Sequence, residues 1–198
     1  IISFHTADKN KYIKLAGVDF FDDNYKGILN CLQTNSLEIL INIVINKENY
    51  SELTENTQFI IDNFKHAKGI IYSTLQPHGN ALKNLWVVPS LSEITDALRS
   101  SMHLCIKNNI IFHLSYCENP LCWILDVAGE KTENDIEFVK HKIINNGCLN
   151  CSLFSIMQKE KTKFQFCSNC PLNDYCSGVW TEYNKIYDDV GSGNFILK

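Results

Sequence analysis

The stretch EILINIVIN, residues 38–46, is apolar almost throughout and dominated by β-branched side chains. Such side chains suit a pleated strand better than a helix. A run without polar alternation reads as a parallel strand covered on both faces, which points to an α/β fold. Towards the C-terminus, residues 50–65 read as a helix with Leu53, Phe59, Ile60 and Phe64 inward and Asn, Glu and Thr outward. GIIYSTLQP (69–77) is a further strand, closed by Pro77 and the turn residues His78 and Gly79. In the helix that follows, Ser92 is the expected cap and Glu93 lies in the first turn, where a carboxylate favours the positive helix end. Ile94, Leu98, Met102 and Cys105 then recur at helical spacing, and IIFHLSY (110–116) is another strand. Towards the N-terminus, Tyr25, Ile28, Leu29 and Leu32 mark one face of a helix over 22–33, and IISFH (1–5) is a short apolar strand.

Strand and helix alternate at intervals of roughly 30–40 residues, the pattern of βαβ units with right-handed crossovers. Four such units are too few for an eight-stranded barrel. They suit the later half of a partial barrel or part of a doubly wound sheet. The alternation stops near residue 117, giving two expected domains, 1–116 and 117–198. The second has few long apolar runs and holds most of the nine cysteines. It can bury little on its own, so a bound metal would help to order it.

A net charge of −4 with both signs interspersed leaves no basic stripe for nucleic acid. No apolar run reaches the ~18 residues of a membrane helix. The chain opens on Ile1 inside a strand-like run, without a charged leader, and is therefore expected to be the C-terminal part of a longer protein. Paired CxxC spacing in a chain of this size favours metal ligands over disulfides, and a reducing, cytoplasmic compartment.

FCSNCPLNDYCSGVWTEY (166–183) carries the chemistry. Cys167 and Cys170 can aim two sulfurs at one metal through a tight turn, and the Pro-Leu-Asn-Asp turn can return Cys176 to them. Gly178 permits close backbone approach. Thiolates without a His at ligand spacing suit zinc or an iron–sulfur cluster. The pairs Cys148/Cys151 and Cys167/Cys170, with fifteen residues between them, match the spacing of a zinc ribbon. Cys117, Cys122, Cys148 and Cys151 are candidates for a fourth ligand. Cys31 and Cys105 lie on apolar helix faces and read as small core residues. Trp123, Trp180, Tyr183 and Tyr187 read as packing around the metal.

CSNCPLNDYCSGVWTEYNKIY resembles the C-terminal segment of radical S-adenosylmethionine enzymes that carry an auxiliary 4Fe–4S cluster, the SPASM and twitch-like group. ISFHT, INIVINKENY and STLQPHGNA resemble the fourth, fifth and sixth strands of their barrel, and ENPLC resembles the stretch after the barrel that supplies an upstream cluster ligand. The resemblance implies the C-terminal half of a partial (β/α)6 TIM-like barrel followed by a small Cys-rich iron–sulfur segment. It implies Cys167, Cys170 and Cys176 as cluster ligands. A full SPASM pattern has another Cys where Trp180 stands, so the fourth ligand is taken from upstream, Cys122 ahead of Cys148 or Cys151. Ser3, His5 and Asn42, together with Gln76, Pro77 and Gly79, are the implied S-adenosylmethionine contacts, although the polar strand residues also read as ordinary hydrogen-bonded groups.

The CxxxCxxC loop that holds the radical-generating cluster is absent from these residues. By this resemblance, a full-length parent binds S-adenosylmethionine at a second 4Fe–4S cluster and makes a 5′-deoxyadenosyl radical that abstracts hydrogen. The 198 residues alone are expected to be inactive. A reductant protein and a peptide or protein substrate are the implied partners, and no residue is singled out as catalytic. The rival expectation is a non-enzymatic binding or scaffold protein with a zinc-ribbon tail.

Overall fold

The computed structural model describes residues 1–34, 36–114, 118–129 and 159–187. Cys117, Cys148 and Cys151 lie outside the described residues, as does the end of the strand expected over 110–116. The chain divides into two compact units, residues 1–75 with 96–114, and residues 76–95 with 115–198.

The first unit is a mixed α/β structure built on four parallel strands: β1 (Ile2–Ser3), β2 (Leu40–Ile45), β3 (Gly69–Thr74) and β4 (Ile111–Leu114). Their spatial order is β1-β2-β3-β4, the order of the sequence. Every crossover therefore steps one strand in the same direction, and right-handed connections would place all the crossover helices on one face. Those connections hold α1 (Lys9–Ala16), α2 (Phe21–Leu32), α3 (Leu53–Asn63) and the body of α5 (Leu91–Lys107).

β2 is not covered on both faces as its composition suggests. Ile41, Ile43 and Ile45 are buried, whereas Leu40, Asn42 and Val44 are half-exposed. The same alternation in β3 buries Ile70 and Tyr72 and leaves Ile71 and Ser73 half-exposed. One face is packed, and the other is partly open. The packed side holds an aromatic cluster in which the fully buried Phe4 meets Phe21, Phe59 and Phe64 at ring distances of 6.0, 5.6 and 5.1 Å.

Two helices differ from expectation for polar reasons. Asn56 and Thr57 of α3 face inward: Asn56 Oδ1 accepts from the Ala7 N–H at 2.7 Å, and Thr57 shares a hydrogen bond with the Tyr72 hydroxyl at 2.8 Å. A polar side chain can be buried where such a partner waits. The unanticipated α1 has no buried residue, so no apolar period announces it. Asp8 caps it by accepting from the Asn10 and Lys11 amides.

In the second unit, α5 begins with a reciprocal capping box. Ser90 Oγ accepts from the Glu93 amide at 3.1 Å, and Glu93 Oε2 accepts from the Ser90 amide at 2.7 Å. Ser90, not Ser92, is the cap. The unit also contains α4 (Asn80–Lys83), α6 (Leu121–Ala128), and a two-stranded antiparallel ribbon of β5 (Lys161–Thr162) and β6 (Val179–Trp180). It closes with α7 (Thr181–Ile186). Among the described residues no helix is long and apolar enough to cross a membrane.

Candidate metal centre

Local backbone turns bring the tail cysteines together. A 3-10 turn over Gln165–Asn169 carries Cys167, and the Cys170 amide closes it by donating to the Cys167 carbonyl at 3.1 Å. The chain turns again, so that the Asn173 amide donates to the Cys170 carbonyl and the Cys176 amide to Leu172. Leu172, fully buried, pins this coil. Past Cys176 the backbone enters β6 through Gly178, at φ +84°. A Cβ there would stand 2.1 Å from the Thr162 carbonyl oxygen, so the ribbon admits only glycine.

Cys122 arrives from far earlier in the chain, on the first turn of α6 behind Pro120. The Leu121 amide donates to Cys176 Sγ at 3.5 Å, and the Gly178 amide donates to the same sulfur at 3.3 Å. Cys122, Cys167, Cys170 and Cys176 are free thiols that together line one cavity of about 240 Å³. Phe164, Phe166, Leu172 and Val179 add apolar wall, the two phenylalanine rings stacked at 5.2 Å.

Burial pushes the Cys122 thiol up to about 12, with smaller contributions from Cys176, Cys170 and Cys167 beside it. Burial also raises Cys167 and Cys170. A metal bound by Cys122, Cys167 and Cys170 must therefore displace their protons.

The donor set decides what fits. Among the described residues no three His, Cys, Asp or Glu side chains are grouped closely enough to hold a metal ion as they stand, so neither a zinc nor a cluster site is preformed there. A lone zinc at about 2.3 Å from each sulfur would need the thiols drawn tightly together. Four thiols that line one apolar cavity are a donor set of the kind that zinc or an iron–sulfur cluster takes. Asn173 lines the same cavity, and its buried Oδ1 has no hydrogen-bond partner among the described residues.

The aromatic residues expected around the metal do other work. Trp123 Nε1 donates to the Leu91 carbonyl and Thr95 Oγ1, Tyr183 accepts from the Leu91 amide, and the Tyr187 hydroxyl donates to Val88. None of the three lines the cavity, nor does Trp180. The wall is Phe164 and Phe166 instead, and the alternating KFQF just before Cys167 was the signal that could have found them.

The strand residues are partly brought together. Ser3 and Asn42 are register partners on the open face of the first unit's sheet, and His5 follows two positions after Ser3. His5 Nδ1 accepts from the Val44 amide at 3.1 Å, and Asn42 Oδ1 accepts from Ser73 at 2.8 Å. Asn49, which the sequence marks only as a loop residue, is fully buried. Its amide nitrogen donates to the carbonyls of His5 and Val44 and its oxygen accepts from the Asn46 amide, tying the ends of β1 and β2. Gln76, Pro77 and Gly79 belong to the second unit. There the His78 amide donates back to Gln76 across a buried Pro77, and Gly79 takes φ +56°, ψ −118°, a backbone region that suits glycine.

Comparison with family models, with curated proteins and with solved structures gave no match.

Proposed function

We propose that the second unit binds a 4Fe–4S cluster through Cys122, Cys167, Cys170 and Cys176, as the auxiliary-cluster segment of a radical S-adenosylmethionine enzyme. The observation that carries this reading is the meeting of four free thiols, one from a distant helix, around one apolar cavity. When bound, such a cluster accepts or relays single electrons, or anchors substrate. The chain's own part is to deliver four sulfurs, to donate the Leu121 and Gly178 amides to Cys176, and to exclude water with Phe164 and Phe166.

On this reading the first unit is the later part of a (β/α)6 barrel. Its sequential parallel order supports that, as does the half-open sheet face bearing Ser3, His5 and Asn42, which would look into the barrel. Ser3, His5 and Asn42 would contact S-adenosylmethionine held at a second cluster by segments of a longer protein. The parent would abstract hydrogen from substrate, with a reductant protein supplying electrons and a peptide or protein as the substrate class.

Iron retention in cysteine variants reconstituted without oxygen tests the ligand set. Cys167→Ala and Cys176→Ala should lose most of the iron, and Cys105→Ala should keep it, since that thiol lies in the first unit against Tyr72. A Cys122→Ala protein with a full cluster would remove Cys122 from the set.

A further inference from the structure

Lys161 is the strangest charged residue of the second unit. It sits on β5 with only 8% of its surface exposed, a rare position for lysine. Its ammonium donates to the Glu118 carbonyl at 2.8 Å and to Ser177 Oγ at 3.0 Å, and lies 4.8 Å above the Trp180 ring. Glu118 precedes Cys122 by one helical turn, and Ser177 directly follows Cys176. The side chain thus spans the two separate segments that deliver those thiols.

Burial of this kind penalises a charged amine, and desolvation lowers Lys161 to about 8, with Cys176 and Glu118 pulling it back up. Lys161 does not itself line the cavity, but its ammonium is held beside Ser177 and interacts with Cys176, and a cavity loaded with four thiolates would be strongly negative. Lys163 does line the cavity, but it is the weaker candidate for balancing that charge. It reaches the Asn173 carbonyl at 2.6 Å from an exposed position, where water and salt screen its charge.

We propose that Lys161 is a positioning and charge-compensating residue for the thiol cavity, holding the Cys122 and Cys176 segments together and favouring the more negative, reduced form of the occupant. This rests on the cluster reading above. Reduction adds one electron and one negative charge to the cluster, and an unscreened ammonium nearby stabilises that product more than the oxidised form. Removing the cation must therefore lower the midpoint potential.

The test is a redox titration of reconstituted wild type, Lys161→Gln and Lys161→Met, monitored by electron paramagnetic resonance, with iron per chain measured in parallel. Lys161→Gln keeps a donor without the charge, and should hold its iron while its one-electron reduction equilibrium falls at least tenfold, which is 59 mV. Lys161→Met loses donor and charge together, and should show the same fall with about half the iron or less. A Lys161→Gln potential equal to that of wild type, with iron retained, overturns the charge role. Full iron in Lys161→Met overturns the clamp. Should Lys161→Met fail to fold, Lys161→Arg restores the charge, and its potential must return towards wild type for the account to stand. A wild type that takes up no iron would overturn the cluster reading itself, a different result from either of these.

Discussion

Single residues carry most of the burden that local sequence rules can explain. Gly178 combines a positive φ with a ribbon carbonyl where a side chain would have to go. Gly178→Ala should destabilise the second unit by ~2 kcal/mol or more and lower its iron content together, read by urea unfolding and iron assay. Asn49 is as demanding in the first unit. Asn49→Ala takes the donor from the His5 carbonyl and the acceptor from the Asn46 amide, while Val44 keeps the Asn46 side chain, and about 2 kcal/mol of stability should be lost. His5 gives a pH signature. Burial lowers its pKa below the ordinary 6.5, so the unfolded chain takes up a proton before the folded one does. The stability this contributes is complete above pH 6.5 and drains away as pH falls through the lowered value. Wild type should lose stability over that window more steeply than His5→Gln, as denaturation at a series of pH values would show.

Elements were legible where apolar spacing was strong and illegible where polar partners decided. β2, β3 and α5 stand out through β-branched runs or a helical period, and α2 through Tyr25, Ile28, Leu29 and Leu32. α1 has no buried residue, so only its Asp8 cap betrays it. The inward turn of Asn56 and Thr57 could not be read from α3 alone, because the partners that satisfy them, Ala7 and Tyr72, are distant in sequence. The start of α5 shows the same limit at closer range. From sequence Ser92 is the expected cap, but the reciprocal bond with Glu93 selects Ser90, whose spacing to Glu93 is that of a capping box. Ser90→Ala should cost about 1 kcal/mol in urea unfolding, and Ser92→Ala distinctly less.

At the scale of the whole molecule, composition and spacing pointed to a parallel α/β unit and a Cys-rich tail, and the structure has both kinds of part. The open face of the sheet was not legible, since Leu40, Asn42 and Val44 look core-like in sequence whether or not anything covers them. Cys122 is one of several candidates to join the tail and is put first by resemblance; the structure brings its helix to Cys176 through the Leu121 amide. The zinc-ribbon spacing of Cys148/Cys151 and Cys167/Cys170 competes with that junction for the same sulfurs. Iron, acid-labile sulfide and zinc per chain, measured on anaerobically purified wild-type protein, separate the two most directly. Four thiolates around a cubane predict ~4 irons and ~4 sulfides in a brown solution. A colourless protein holding one zinc and no sulfide would contradict the account.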